Sequence, residues 1–343
     1  MKIEKPKIAI FSDLHLGKHN NSADWHQVAI DWCDWFIDEL RAKKIKDVIF
    51  MGDWHDNRNE ISVHTLDVSA MLIDKFADFN LHMVVGNHDI PYKHSTEVNS
   101  VSVFANRPNI EVYTQLTYVE AFDRKLCFAP WESDLTTLDR CDAVFGHLEI
   151  QTFKMGTARA CTSGWSATDL LKKCKDIYSG HFHLRCEKQY KEGNITYVGN
   201  PFQMDFGDRH DVKGYYVLDL DSMSHVFYEN NVSPIHHIVK LSEIQKDGFH
   251  GTKVVNNNIR MEIDVDIDTK ELFKLFDKVA SLRPMTFTQD YTFIAQSPTG
   301  ALADVAPANI DVKEAIEEYM STIDVYGKAK AKEYILDLYD KTK

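Results

Sequence analysis

Five short motifs hold nearly all the residues of this chain that could do chemistry. They are Asp13-x-His15, Gly52-Asp53, Gly86-Asn87-His88-Asp89, Gly146-His147 and Gly180-His181-Phe182-His183. Imidazole, carboxylate and amide oxygen are the donors that bind divalent cations, and a histidine or carboxylate near such a cation can also move a proton. Any one motif alone reads as a structural histidine at a strand end. Five in order, four of them opening on a glycine that lets backbone approach closely, read together as a metal centre. Ions held there could generate hydroxide at neutral pH and stabilise the attacking and leaving oxygens of a phosphoryl displacement. No cysteine belongs to the set, which argues against a structural zinc site.

Each motif follows an expected strand, where open α/β sheets place their sites. KIAIFS at 7–12 and DVIFM at 47–51 are short β-rich runs, and between them 24–43 carries Trp25, Val28, Ala29, Trp32 and Phe36 at helical spacing. Residues 65–79 are again helical in pattern, and 81–85 is another buried-type strand. Further strands are expected at 110–114, 117–122, 125–129, 142–146, 176–180, 195–199, 214–220 and 224–229. Many strands with few helices predict two sheets packed face to face, so residues 1–232 should form an α/β sandwich flanked by helices. From 233 the character changes. Residues 260–268 alternate strictly as a strand does, 270–281 look helical and 285–295 read as a strand, which makes 233–296 a small α+β unit. Residues 297–309, with Pro298, Gly300 and Pro307, read as a linker. Over 310–343, Val312, Ala315, Ile316 and Tyr319, then Ala331, Tyr334, Ile335, Leu338 and Tyr339, predict two short amphipathic helices. Trp25, Trp32 and Trp35 are expected in the core, His55 in a core slot, and His236-His237 at the surface.

The chain has 343 residues, with 39 Lys and Arg against 52 Asp and Glu, a formal charge of −13. That balance excludes binding to nucleic acid through an overall basic field. Any DNA affinity must be local, at bound cations, or supplied by a partner. No apolar run approaches the roughly 20 residues of a membrane-spanning helix, and residues 1–6 contain no apolar signal core. Six scattered cysteines without a C-x-x-C pair suit a reducing compartment. The expectation is a soluble, cytoplasmic protein.

In order, D-x-H, G-D, G-N-H-D, G-H and G-H-x-H resemble the signature of the calcineurin-like metallophosphoesterase superfamily, over residues 8–183. Tyr197-Val198-Gly199-Asn200-Pro201, then Phe206-Gly207-Asp208 and Lys213-Gly214-Tyr215-Tyr216, resemble a segment of the SbcD-like double-strand-break repair nucleases, phage recombination endonuclease subunits included. The resemblance implies a metal-dependent DNA exonuclease or endonuclease of repair, recombination and recombination-dependent replication. It gives Asp13, His15 and His183 to one ion, Asn87, His147 and His181 to the other, and the bridging role to Asp53. Four imidazoles, two carboxylates and one amide oxygen are nitrogen-rich for Mg²⁺, so two Mn²⁺ per chain are expected, with Mg²⁺, Fe²⁺ or Zn²⁺ as alternatives. His88 would steady the phosphorane charge or protonate the leaving oxygen, with Asp89 holding its ring. The resemblance also implies a homodimer, a DNA-contacting cap over 233–296, and an SMC-like ABC ATPase whose coiled coil docks on 310–343, in the host cytoplasm if the chain is phage-encoded. Phosphoprotein phosphatases carry G-D-x-V-D-R-G and G-N-H-E where this chain has GDWHDNR and GNHD, which leaves phosphoprotein or small-molecule phosphoester hydrolysis as the alternative. A non-catalytic scaffold of the same fold would be expected to have lost ligands, and all seven are present.

Overall fold

The computed structural model describes residues 2–154, 160–246, 251–291, 332 and 334–336. The chain divides into two compact units, Met1–His236 and His237–Lys343. In the first unit the strands are β1 (Lys7–Phe11), β2 (Asp47–Phe50), β3 (Asn80–Val84), β4 (Ile110–Tyr113), β5 (Thr117–Ala121), β6 (Arg124–Ala129), β7 (Cys141–His147), β8 (Cys174–Gly180), β9 (Cys186–Gln189), β10 (Asn194–Tyr197), β11 (Gly214–Asp219) and β12 (Ser224–Glu229). They form two six-stranded sheets, ordered β12-β11-β1-β2-β3-β4 and β5-β6-β7-β8-β10-β9. Each sheet has a parallel run, β1 to β4 in the first and β6, β7, β8 and β10 in the second, bordered by antiparallel neighbours. This is the α/β two-sheet sandwich that the strand pattern predicts.

Alternation along β1 explains its uninterrupted apolar run. Ile8 and Ile10 enter the core between the sheets with Phe128, Phe145 and Tyr178. Phe11 lies 5.1 Å from the Trp32 ring and 5.2 Å from the Phe36 ring of helix α1 (Ala23–Ala42). A strand covered on both faces needs apolar residues at every position, and truncating Phe11 to alanine should cost about 3–5 kcal/mol. Helix α2 (Val63–Lys75) begins at Ser62, whose hydroxyl accepts the Thr65 N–H at 3.1 Å. It stops short of the expected 79 because Phe76 and Phe79 keep the apolar period from inside tight turns. On the outer face of the second sheet, Val144 and Ile177 pack with Leu170 and Leu171 of α3 (Ala167–Leu171).

Trp32 is fully buried as expected, whereas Trp25 is half-buried and stacks on His19 at 4.3 Å. His236, expected at the surface, is buried with its ring 4.8 Å from Phe206.

The second unit has its own three-stranded sheet, β13 (His236–Lys240), β14 (Asn258–Glu262) and β15 (Thr286–Asp290), with helix α4 (Thr269–Ser281). Val239, Ile259, Met261, Leu272 and Val279 belong to one cluster that forms its core. The Asp268 carboxylate caps α4 by accepting the Lys270 N–H at 2.9 Å. The strand expected over 260–268 ends at Glu262, because the Asp264 carboxylate turns to accept the Ser242 N–H and hydroxyl at 2.9 and 2.6 Å. The expected linker 297–309 and the helices over 310–343 lie outside the described residues, apart from 332 and 334–336. Among the described residues no helix is long and apolar enough to cross a membrane.

Candidate metal centre

Both sheets deliver ligand-type side chains from the C-terminal ends of their parallel strands. Asp13 and His15 follow β1, Asp53 follows β2, and Asn87 and His88 follow β3. His147 closes β7, and His181 and His183 follow β8. The first two loops stay zipped beyond their strands: the Asp13, His15 and Leu16 N–H groups donate to the carbonyls of Gly52, Asp53 and Trp54 at 2.9, 3.0 and 2.9 Å. Four of the seven expected ligands have left-handed backbone, Asp13 (φ 56°), His15 (48°), Asp53 (62°) and His181 (85°). Each such residue costs on the order of 1–3 kcal/mol and persists only where its surroundings over-determine it, so strain is concentrated at the donors. The glycines of the motifs give room for this. A Cβ on Gly52 would strike the His147 ring, and one on Gly86 would strike the Asp53 carboxylate.

The seven side chains meet in two groups. His15 Nε2 lies 3.0 Å from His183 Nε2 and 3.8 Å from Asp13 Oδ1, which is itself 4.0 Å from His183 Nε2. In the other group Asn87 Oδ1 lies 2.9 Å from both His147 Nε2 and His181 Nδ1. Asp53 reaches both groups, with Oδ2 3.6 Å from His15 Nε2 and 3.3 Å from His147 Nε2. His147 Nδ1 donates to the Met51 carbonyl at 2.7 Å, which orients its Nε2 toward Asn87 and Asp53.

The electrostatics suit a cation. Asp13 and Asp53 are fully buried, and among the described residues no lysine or arginine pairs with either carboxylate. Burial pushes the Asp13 carboxyl up. Burial also works on Asp53, but His147, His15 and His88 hold its carboxyl well below the usual range. Against its own burial, His147 is pushed up to about 9 by the Asp53 charge. Burial pushes His181 down to about 3 and depresses His183 strongly. Buried carboxylates matched only by histidines, with imidazole nitrogens aimed at one another, are a donor set that divalent ions fit. A proton on His147 partly stands in for that charge, so ion binding must displace it.

His88 reaches this group by its backbone, whose N–H donates to Asp53 Oδ1 at 2.7 Å, and by its ring, a nitrogen of which lies within 4.8 Å of donor atoms of both His15 and Asp53. Asp89, expected to hold the His88 ring, does not. The His88 Nδ1 instead donates to the Asp56 carbonyl at 2.6 Å. The Asp89 carboxylate accepts the N–H groups of Asp53 (2.9 Å), Gly86 (2.9 Å), Trp54 (3.0 Å) and His55 (3.3 Å). Four backbone donors are a better match for a buried carboxylate than one ring, and Asp89 thereby fixes the Asp53 loop against the Asn87 loop. His55 fills a core slot between the Ser100 and Ser69 hydroxyls, at 2.8 and 3.1 Å, and burial pushes it down to about 4.

Two supporting groups escape a reading of ligand types alone. Asp56 Oδ1 lies 3.2 Å from His15 Nδ1, the carboxylate–histidine pairing that orients a ligand ring. Lys213 is buried, and its ammonium donates to the His183 carbonyl (2.7 Å), Asp208 Oδ1 (3.1 Å) and Asp211 Oδ2 (2.8 Å). The only signal for Lys213 was its place in the K-G-Y motif.

A family model described as calcineurin-like phosphoesterase matches residues 6–216. The chain is 27% identical over 245 residues to exonuclease subunit 1 of Enterobacteria phage T4, which covers 66% of this chain and 68% of that protein. Among solved structures it is similar to an archaeal phosphodiesterase, at 14% identity and a TM-score of 0.39, covering 65% of this chain and 99% of that one. It is also similar to a dimetal phosphatase from Danio rerio, at 12% identity and a TM-score of 0.41, covering 62% of this chain and 92% of that one.

Proposed function

The chain belongs to the calcineurin-like phosphoesterase family, and from that premise we propose that it is a metal-dependent DNA nuclease, the catalytic subunit of a recombination and repair complex. The observation that carries the reading is the convergence of seven ligand-type side chains from two sheets, with one Asp53 oxygen within reach of both groups. DNA as the substrate rests on the phage exonuclease relative, which is also named as a subunit. Asp13, His15 and His183 would hold one ion, Asn87, His147 and His181 the second, and Asp53 both. Mn²⁺ suits this mixed nitrogen and oxygen set best. When bound, the ions supply positive charge to the phosphate and make water nucleophilic at neutral pH. The chain's own part is to aim the donors and to move a proton. With Nδ1 donating to the Asp56 carbonyl, the neutral His88 ring has a bare Nε2, so it would steady the phosphorane charge or pass a proton to the leaving oxygen only after Nε2 has first taken one up as imidazolium. Asp89 acts as a positioning residue, through the backbone of the Asp53 loop.

We further propose that 233–296 caps the substrate, that 310–343 docks an SMC-like ABC ATPase through its coiled coil, and that the nuclease works as a homodimer in double-strand-break repair and recombination-dependent replication. A partner of that kind would supply the DNA-binding surface that a chain of charge −13 lacks. The test is digestion of end-labelled DNA by the purified full chain with Mn²⁺, beside hydrolysis of bis-p-nitrophenyl phosphate. The expected result is DNA cleavage that a chelator abolishes. Hydrolysis of the small diester with no attack on DNA, with or without the ATPase, would overturn the reading.

A further inference from the structure

Next to His147 a cavity of about 350 Å³ opens between Trp131 and Trp165, with Glu132, Asp134 and Glu149 among its walls. That volume is at the small end of ligand sites, which run roughly 300–1,000 Å³. Both tryptophans stand on fixed backbone. The Trp131 N–H donates to the Val85 carbonyl at 2.9 Å, just ahead of Asn87, and its ring centroid lies 4.9 Å from that of His181. Trp165 is tied to the strand end after His147 by two bonds, its N–H to the Glu149 carbonyl (2.8 Å) and the Gln151 N–H to its own carbonyl (3.0 Å). Both tryptophans are therefore tied to the strand ends that carry the ligands, and the cavity shares His147 with the metal centre.

Its chemistry is selective. Two indoles offer stacking surface, which every nucleobase can use, and one such contact is worth roughly ten- to a hundredfold in affinity. Apart from His147, which belongs to the metal centre, the charged lining is acidic, with no lysine or arginine among its residues. Glu149 is fixed there by the Ser163 hydroxyl at 2.6 Å. Three carboxylates repel a phosphate and leave a neutral base and sugar unpenalised. A nucleotide inside a DNA chain carries a phosphate on each side. A terminal nucleoside carries only the scissile one.

We propose that this cavity receives the terminal nucleoside of the strand being cut, and that Glu132, Asp134 and Glu149 reject an internal nucleotide by repelling its second phosphate. The proposal rests on the nuclease reading and deepens it: the cavity makes the centre act at ends.

Two measurements on the full chain test it. In equilibrium dialysis against labelled deoxyadenosine, one saturable site per chain is expected, weakened at least tenfold in both Trp131→Leu and Trp165→Leu, with circular dichroism and melting used to check that each variant folds. Where a leucine variant does not fold, the phenylalanine variant, Trp131→Phe or Trp165→Phe, takes its place with a smaller expected loss. Failure of deoxyadenosine to saturate, or binding unchanged in the folded variants, overturns the nucleoside site. In Mn²⁺-dependent digestion, oligonucleotides ending in a hydroxyl should be cut at least tenfold faster than the same strands ending in a phosphate. The Glu132→Gln/Asp134→Asn/Glu149→Gln variant should narrow that ratio to within about threefold. No preference in the wild type, or one that survives the triple substitution, overturns the charge discrimination. Nucleoside binding without any DNA cleavage strikes the nuclease reading alone, and cleavage without nucleoside binding strikes the cavity alone.

Discussion

The two sheets secure their shares of the centre by opposite electrical means. On the first, a buried anion, Asp89, collects the N–H groups of residues 53–55 and 86. For the His183 loop of the second, a buried cation, Lys213, collects the His183 carbonyl and the carboxylates of Asp208 and Asp211. Asp89 lies two residues from Asn87, whereas Lys213 lies thirty residues beyond His183. Loops that must present acidic ligands turn their amides inward and need an acceptor. A loop that presents a histidine, with its carbonyl inward, needs a donor. Each anchor therefore has the charge its backbone lacks: Asp89 holds loops of the first sheet to one another, whereas Lys213, just ahead of β11, ties the His183 loop of the second sheet to the first.

The largest effect should come from the residue that reaches both groups of donors. Asp53→Asn is expected to lower Mn²⁺-dependent DNA cleavage by about 10³-fold or more with the fold intact, since the change reaches both groups of donors. A purified, folded variant that keeps more than about a tenth of the wild-type rate would falsify the bridging assignment. His88→Asn disturbs neither anchor, because its bond to Asp53 is made by the backbone. Cleavage should fall roughly 10²–10³-fold while elemental analysis still finds both ions; loss of one ion would make His88 a ligand or a scaffold for one.

The anchors themselves should separate in a stepwise metal titration. Lys213→Met should weaken one of two binding events by roughly 10–100-fold and leave the other, because only the His183 loop loses its tether. Asp89→Ala should weaken both, since Asp53 belongs to both groups, and should also cost about 3 kcal/mol in urea unfolding for its orphaned amides. Equal effects of the two substitutions on both binding events would erase the contrast between the sheets.

A smaller effect tests the core between the sheets with no ions present. His82 is buried, 5.5 Å from the Phe128 ring and nearly parallel to it, and burial pushes it down to about 3. Unfolded, it takes up a proton below about 6.5; folded, it does not until about pH 3, so stability falls as pH drops through that window. Between pH 7 and 5, with chelator present, His82 should account for about 2 kcal/mol of the stability lost in urea unfolding, and His82→Phe should remove that share.

Much of the first unit could be read before folding because its signals are chemical and local. Apolar runs such as Lys7–Phe11 and Asp47–Phe50 end abruptly in ligand types, and the order of the motifs placed the donors after the strands. What escaped reading is backbone chemistry. Nothing in Asp89 as a letter says that four amides converge on it, so a ring partner looked natural. Strand β9, Cys-Glu-Lys-Gln with no buried position, has no apolar pattern to find and exists because β10 offers it an edge. In the second unit the alternation over 260–268 was genuine, yet one aspartate that prefers a serine to solvent ends the strand six residues early.

A centre assembled from two sheets has a mechanical consequence. Asp13, His15 and Asn87 belong to one sheet and His147, His181 and His183 to the other, so every ion bound as proposed is a rivet through the sandwich. Rivets resist sliding of the plates, and by mass action an ion present at about a hundred times its dissociation constant adds about 2.7 kcal/mol to the folded state. The ions needed to cut a phosphodiester would then also lock the register of the two sheets, and a cell starved of them would hold a looser protein as well as an idle one.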